Sequence, residues 1–258
     1  MNYFTIMPFW LSGAILVILP TLVAMSAPFL IRRAVTLQGL QANNEVAGFK
    51  FAVVGVLYAV LLAFAVIVVW ERFSDSESQV AQEAGASATI YRLADSVGGT
   101  SSGALKQSLS KYLQVAIDKD WPAMGQGHGS PEATKALDDL YSAALEVMPA
   151  DARSKVVLSE MLHQLDLLTQ ARRARLVASP GVVPGVLWMV LLGGAFLTVG
   201  FTFFFGTQNL RAQSMMTGIV TVLIFSGLLV IVSIDHPFAG SVQVTPEGLK
   251  AVLEDFGK

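Results

Sequence analysis

The chain has no cysteine, which excludes disulfides, thiolate metal sites and cysteine nucleophiles and leaves the redox compartment unwritten in the sequence. It is also short of charge. Only 14% of its 258 residues are Asp, Glu, Lys or Arg, against 53% hydrophobic, whereas soluble domains carry about 25% charged residues. The net charge is −2 and no long basic run occurs, so nothing points to a nucleic-acid partner. The shortage is concentrated in four places: residues 9–31, 51–70, 185–206 and 212–234 hold almost nothing ionisable. A hydrocarbon core of roughly 30 Å is crossed by about 20 apolar residues in helix. In lipid the backbone must satisfy its own hydrogen bonds, so helices are the expected form. The composition therefore predicts an all-α integral membrane protein with four transmembrane helices. The leader "MNYFTIMPFW" lacks a positive charge and the apolar run after it is too long for a signal peptide, so the first segment reads as a retained span.

Between the second and third spans lies the one long polar stretch. The expected organisation is residues 9–70 for the first two spans and their loop, 71–183 for an inserted helical soluble bundle, 184–234 for the last two spans, and 235–258 for a tail with a short amphipathic helix. In the bundle, Val80, Ala84, Ala88 and Tyr91 share one face at helical spacing. "GGTSSG" at residues 98–103 is expected to interrupt the chain, and the next helix, carrying Leu105, Leu109, Tyr112 and Ala116, to stop at Trp121-Pro122. Ser130-Pro131 looks like a helix start, followed by Leu137, Leu140, Tyr141, Ala144 and Leu145 on one face. A fourth helix from about Asp151 carries Val157, Met161, Leu165 and Leu168 and runs through "RRAR" towards the third span. The basic residues flanking the spans nearly balance between the two sides, so the positive-inside rule does not fix the orientation.

No motif for catalysis survives its context. "GTSSG" fits G-x-S-x-G, but that pattern needs a preceding strand and a helix precedes it here. "GQGHG" has the composition of a phosphate loop without the Lys-Ser/Thr that would follow. His128, His163 and His236 are far apart in sequence, so neither a metal site nor a cofactor is expected. In "DHPFAG", Pro237 disfavours helix in the residue before it and Asp235 stands where hydrocarbon gives way to water, which reads as a helix stopping.

The spans carry more information. Gly48, Ala52, Gly55, Ala59 and Ala63 make a small-residue stripe on the second, of the kind that lets helices approach closely in lipid. Ser214, Thr217 and Thr221 make a polar stripe on the fourth, which reads equally as interhelical hydrogen bonding or as the wall of a wetted cavity. No acid or base lies inside a span, and coupled pumps and transporters need one. A neutral pore with an apolar constriction remains compatible. One chain of four spans does not easily enclose such a pore, which implies a homo-oligomer.

The stretch "NNEVAGFKFAVVGVLYAVLLAFAVIVVWERF" resembles the second span of the bacterial bestrophin-like membrane proteins. The acidic-alanine helix around Glu83-Ala84, "IYRLAD", "YLQVAIDKDWPAMGQG", "RRARL" and "DHPFAGSVQVTPEGL" are similar to that family in order and spacing, over nearly the whole chain. The resemblance implies a pentameric anion channel, four spans per subunit, and a pore lined by the second span. Carried onto this sequence, the pore-lining candidates are Phe51, Gly55, Tyr58 and Leu62. No copy of the calcium clasp of the animal members is present. By the same analogy the bundle and both termini lie in the cytoplasm and the spans in the inner membrane.

The sequence thus predicts an oligomeric channel, not an enzyme, that conducts inorganic anions passively. Arg32, Arg33 and Lys50 are candidate charges at one pore mouth, with lipid headgroup contact as their other role. The alternative is a membrane-anchored sensor or scaffold whose bundle binds a ligand or partner.

Overall fold

A computed structural model describes residues 8–97 and 99–257, apart from the side chains of residues 99 and 100. Every regular element among the described residues is helical. Helices α1 (Phe9–Gly13) and α2 (Leu19–Ala34) are joined through a π-helical stretch, Ala14–Ile18, and α3 (Leu37–Gln41) is short. Helix α4 runs without a break from Asn44 to Ala94, about 75 Å at 1.5 Å per residue. Then come α5 (Gly99–Val115), a second π stretch (Ala116–Asp120), α6 (Trp121–Met124), α7 (Pro131–Leu145) and α8 (Ala152–Ala178). Helix α9 (Gly185–Phe201) ends in a 3-10 turn, Thr202–Phe204, before α10 (Leu210–Ile234) and α11 (Glu247–Asp255). Among the described residues four helical stretches are long and apolar enough to cross a membrane: Phe9–Ala34, α4, Gly185–Phe204 and α10.

Two details differ from expectation and share a cause or a boundary with proline and glycine. "GTSSG" is not a linker, because α5 begins at Gly99; Gly98 lies outside the described residues. The helix after it does not stop at Trp121-Pro122 but continues through the π stretch to Met124. Both π stretches end two residues before a proline, Ile18 before Pro20 and Asp120 before Pro122. Proline has no N–H and its ring crowds the carbonyl four residues back, and a wider turn accommodates it without ending the helix.

The chain divides into two compact units, one holding the described residues up to Glu71 with Val182–Asp235, the other Arg72–Gly181 with the residues from His236 onward. In the first, α2 and α10 pack closely at Gly218, where a Cβ would come within 2.8 Å of the Met25 sulfur. The Ser214 hydroxyl crosses the same gap to donate to the Met25 carbonyl at 2.7 Å. The end of α10 is tied to the approach to α9: Asp235 Oδ1 accepts from the backbone N–H groups of Val182 (3.0 Å) and Val183 (2.8 Å). Asp235 therefore does more than end a helix, since it satisfies donors that precede α9.

The second unit is a helical bundle. Leu105, Leu109, Tyr112, Ala116, Leu140, Met161, Leu165 and Leu168 are buried as their spacing predicts, whereas Leu145 is 69% exposed. Its α11 lies with Gly248 against Val80 and Ala84, and Phe256 stacks on Tyr91 with ring centroids 3.7 Å apart. Trp121 Nε1 donates to the Val244 carbonyl at 3.2 Å. Gly181, at φ +98°, faces the His236 ring, which a Cβ would meet at 2.8 Å.

Replacing Asp235 by Ala removes the side-chain acceptor of two half-buried backbone donors, of which the Val182 N–H keeps the Asp235 carbonyl at 3.2 Å, a loss of about 1 kcal/mol. The expected outcome is a lowered midpoint in thermal unfolding of the detergent-solubilised protein, with Asp235→Asn closer to wild type.

Candidate pore helix

Helix α4 uses one face inside its own chain. The Tyr58 hydroxyl donates to the Leu191 carbonyl at 3.0 Å, and its ring lies where a Cβ on Gly194 would come within 2.5 Å. Leu62 fits the gap left by Gly227 on α10, at 2.7 Å from a built Cβ. Phe51 packs against Phe201 with the rings tilted and against Phe205 edge to face, with centroids 6.0 and 5.7 Å away. At the start of α4, Asn44 exchanges two hydrogen bonds with the backbone of Gly206, at 2.9 and 3.0 Å. Glycines on α9 and α10 thus receive the large side chains of α4, the close approach that replaces hydrophobic drive in lipid.

Phe51, Gly55, Tyr58 and Leu62 do share a face, and they border one hollow of about 260 Å³ together with Thr198, Val220 and Ile224. That hollow lies against α9 and α10 of the same chain. A second, of about 500 Å³, is lined by Phe51, Phe205, Met216, Thr217 and Val220 among others. Of the polar stripe on α10, Thr217 reaches this hollow. Ser214 is committed to Met25, and the Thr221 hydroxyl donates to the Thr217 carbonyl one turn back. Ser214 thus bonds between helices, Thr221 within its own, and Thr217 borders a hollow lined mainly by apolar side chains. Arg32 and Arg33 occupy the last turn of α2, where cations suit the helix dipole. Arg32 Nη1 is buried and makes no hydrogen bond among the described residues. Lys50 is exposed on α4.

The other face of α4 has no partner among the described residues. Phe49, Val53, Val56, Leu57, Val60, Phe64, Ile67 and Val68 are between 46% and 75% exposed. A continuous bulky apolar surface of this kind faces either lipid or other protein.

The bundle holds a cluster that sequence reading missed. Glu83 accepts from Arg175 Nε at 2.6 Å, from Arg175 Nη2 at 2.9 Å and from the Tyr112 hydroxyl at 2.6 Å. Asp120 accepts from Arg172 Nε at 2.9 Å and Nη2 at 3.1 Å, and from the Ser130 backbone N–H at 2.8 Å. Arg175 also lies over the Trp121 ring, 4.7 Å from its centroid. Two acids and two arginines are thus buried with no net charge, and Glu83, Asp120 and Arg175 have no exposed side-chain surface. Burial, reinforced by the Glu83 charge, pushes the Tyr112 phenol well above its ordinary pKa. Burial pulls Arg175 the other way, but the Glu83 carboxylate outweighs it and holds the guanidinium above its usual value. The signal was present in the spacing: Met161, Leu165 and Leu168 form the buried row of α8, and Arg172 and Arg175 take its next two places. No group of three or more His, Asp or Glu that could hold a metal occurs among the described residues.

Removing one member of such a cluster leaves an uncompensated buried charge, which costs about 3–5 kcal/mol. Arg175→Met and Glu83→Leu are each expected to unfold the bundle at markedly lower temperature, and the double variant to recover part of that loss. Circular dichroism melts of the four proteins measure the coupling.

Comparison with known proteins places this architecture. The model of the bestrophin-like domain matches residues 18–249. No curated protein matches the sequence. Among solved structures, a variant of a bacterial bestrophin homolog from Klebsiella pneumoniae superposes with a TM-score of 0.72 at 13% identity, covering 93% of this chain and 99% of that one. Another structure of a Klebsiella pneumoniae homolog gives 0.70 at 14% identity, covering 93% and 95%. At such identities the likeness is one of fold. The family match spans most of the sequence and the fold agrees with it, so the chain belongs to the bestrophin-like family.

Proposed function

We propose that the chain is one subunit of an oligomeric ion channel whose central pore is lined by α4 and which conducts small anions passively. The observation that carries this reading is the division of α4 into two faces. One is occupied by α9 and α10 of the same chain; the other is bulky, apolar and without a partner among the described residues. At about 100° per residue, Phe49, Val56, Val60 and Ile67 stand opposite Tyr58, and we assign them to the pore axis. Phe51, Gly55, Tyr58 and Leu62 then govern the pore from behind, by holding α4 in place. An apolar ring of valines supports gating by dewetting. The anion preference is supported by Arg32, Arg33 and Lys50, which flank one short loop and raise anion concentration at that mouth.

The ring of copies, five by resemblance to the family, the bundle on the cytoplasmic side and the location in an inner membrane complete the proposal. Four spans with the bundle inserted between the second and third are part of it. Family membership supports a channel over an enzyme, and no catalytic step is assigned to any residue.

The test is ion flux through purified protein in liposomes under chloride, nitrate and potassium gradients. Wild type is expected to pass chloride and nitrate in preference to potassium. Val60→Thr is expected to raise the flux by wetting the constriction, whereas Leu62→Ala lowers thermal stability and leaves ion preference unchanged. No flux from folded, oligomeric protein, in wild type and Val60→Thr alike, would sink the channel and turn attention to the bundle as a sensor.

A further inference from the structure

The helical stretch from α1 to α2 runs antiparallel to α10: a Cβ on Gly13 would meet Leu229, and Met25 lies at Gly218 and Ser214. Along this contact runs a hollow of about 350 Å³, lined by Thr21 and Met25 of α2 and by Met215, Gly218, Val222 and Leu223 among others on α10. Thr21 and Gly218 are buried whereas Met215, Val222 and Leu223 are exposed, so the hollow is a groove open to the outside of the chain. The Thr21 hydroxyl donates to the Val17 carbonyl at 2.7 Å, which leaves the lining apolar in effect.

One end of the groove is basic. Arg32 stands seven residues after Met25 and Arg211 four before Met215, so at about 100° per residue each continues the groove face of its own helix. The antiparallel register brings the two to one level, the last turn of α2 beside the first turn of α10. Neither arginine is in an ion pair among the described residues, and Arg32 Nη1 is buried without a hydrogen-bond partner there. Residues 32–50 and 205–211, which meet at this end, hold Arg32, Arg33, Lys50 and Arg211 against a single acid, Glu45.

We propose that this groove binds one anionic phospholipid of the surrounding bilayer, with an acyl chain laid between α2 and α10 and the phosphate held by Arg32 and Arg211. Guanidinium groups fork onto phosphate oxygens, and a phosphate supplies the acceptors that the chain itself withholds from them. Met25 and Met215 are unbranched and adaptable, which suits a mobile hydrocarbon chain. A zwitterionic lipid brings the same chain, but its own cation competes with the arginines; free phosphate brings the charge without the chain. A headgroup at Arg32 leaves Arg33 and Lys50 to the mouth. The groove lies on the α2 side of α10, away from the row of α4 assigned to the axis, so the site does not depend on the channel reading.

The test is thermal unfolding of delipidated protein in neutral detergent, titrated with phosphatidylglycerol, with phosphatidylcholine of the same chains, or with inorganic phosphate. Phosphatidylglycerol is expected to raise the midpoint saturably, and the other two to leave it in place at equal concentration. Arg32→Gln with Arg211→Gln is expected to raise the concentration for half the shift by about tenfold or more. Lys135→Gln, which removes an exposed charge from the bundle, leaves it unchanged. Val222→Trp fills the groove and is expected to abolish the shift with both arginines in place. The midpoint without lipid reports the folding of each variant, and the exposed Arg211→Gln alone, which weakens binding in the same direction, serves where another variant melts early. No shift with phosphatidylglycerol, an equal shift with phosphatidylcholine or with phosphate, or an undiminished shift in the arginine variants or in folded Val222→Trp each overturns the proposal.

Discussion

A backbone placed in hydrocarbon has no water to turn to, and most of this structure follows from that constraint. The four apolar stretches are helical because helices close their own hydrogen bonds. Hydroxyls inside them obey the same rule. Thr21, Thr198, Thr221 and Ser233 each donate to a carbonyl one turn back in their own helix, so a polar side chain adds no unmet donor. The ends of the spans, where the ladder runs out, are served by polar side chains from elsewhere in the chain. Asn44 serves Gly206, Gln213 Nε2 donates to the Phe205 carbonyl, and Asp235 accepts from Val182 and Val183. Polar side chains in this unit thus serve the backbone where regular structure stops as well as within the helices.

The bundle meets a different problem with the same means. Its centre contains four charges, and burying ions is costly unless every lone pair and proton is answered. Here the answers are dense: paired bonds between arginine and carboxylate, a phenol, a backbone N–H and an aromatic face. An apolar core of equal volume would hold the helices together but would tolerate sliding. The Glu83–Arg175 and Asp120–Arg172 pairs accept one register of α4, the π stretch and α8. We regard register, more than stability, as what this cluster contributes.

Much of this was legible in the sequence, and the failures have physical reasons. Long runs without charge identified the long apolar helices, and helical spacing named most of the bundle core, including Leu109, Tyr112, Leu140 and Leu165. Spacing also placed Phe51, Gly55, Tyr58 and Leu62 on one face, but it could not say what the face would meet. Large residues opposite glycines look the same in one dimension whether the partner is α10 or empty space. The buried charges were missed because Arg172 and Arg175 read as span-flanking cations, although they continue an apolar row. Proline misled at Trp121-Pro122, where a wider turn carried the helix on, and Leu145 kept the right spacing at a helix end with nothing left to cover it.

The two π stretches carry one further implication, about the length of the chain. A π turn holds one more residue than the α turn it replaces, so each absorbs one extra residue without breaking the helix. Residues 14–18 and 116–120 are then the places where the length of the chain can change by one while the helix around them persists. Elsewhere in a span the same change would turn every following side chain by about 100°, away from the glycine that receives it. Relatives that differ in length within these helices should therefore differ there, and a relative lacking Pro20 or Pro122 has no need of the extra residue.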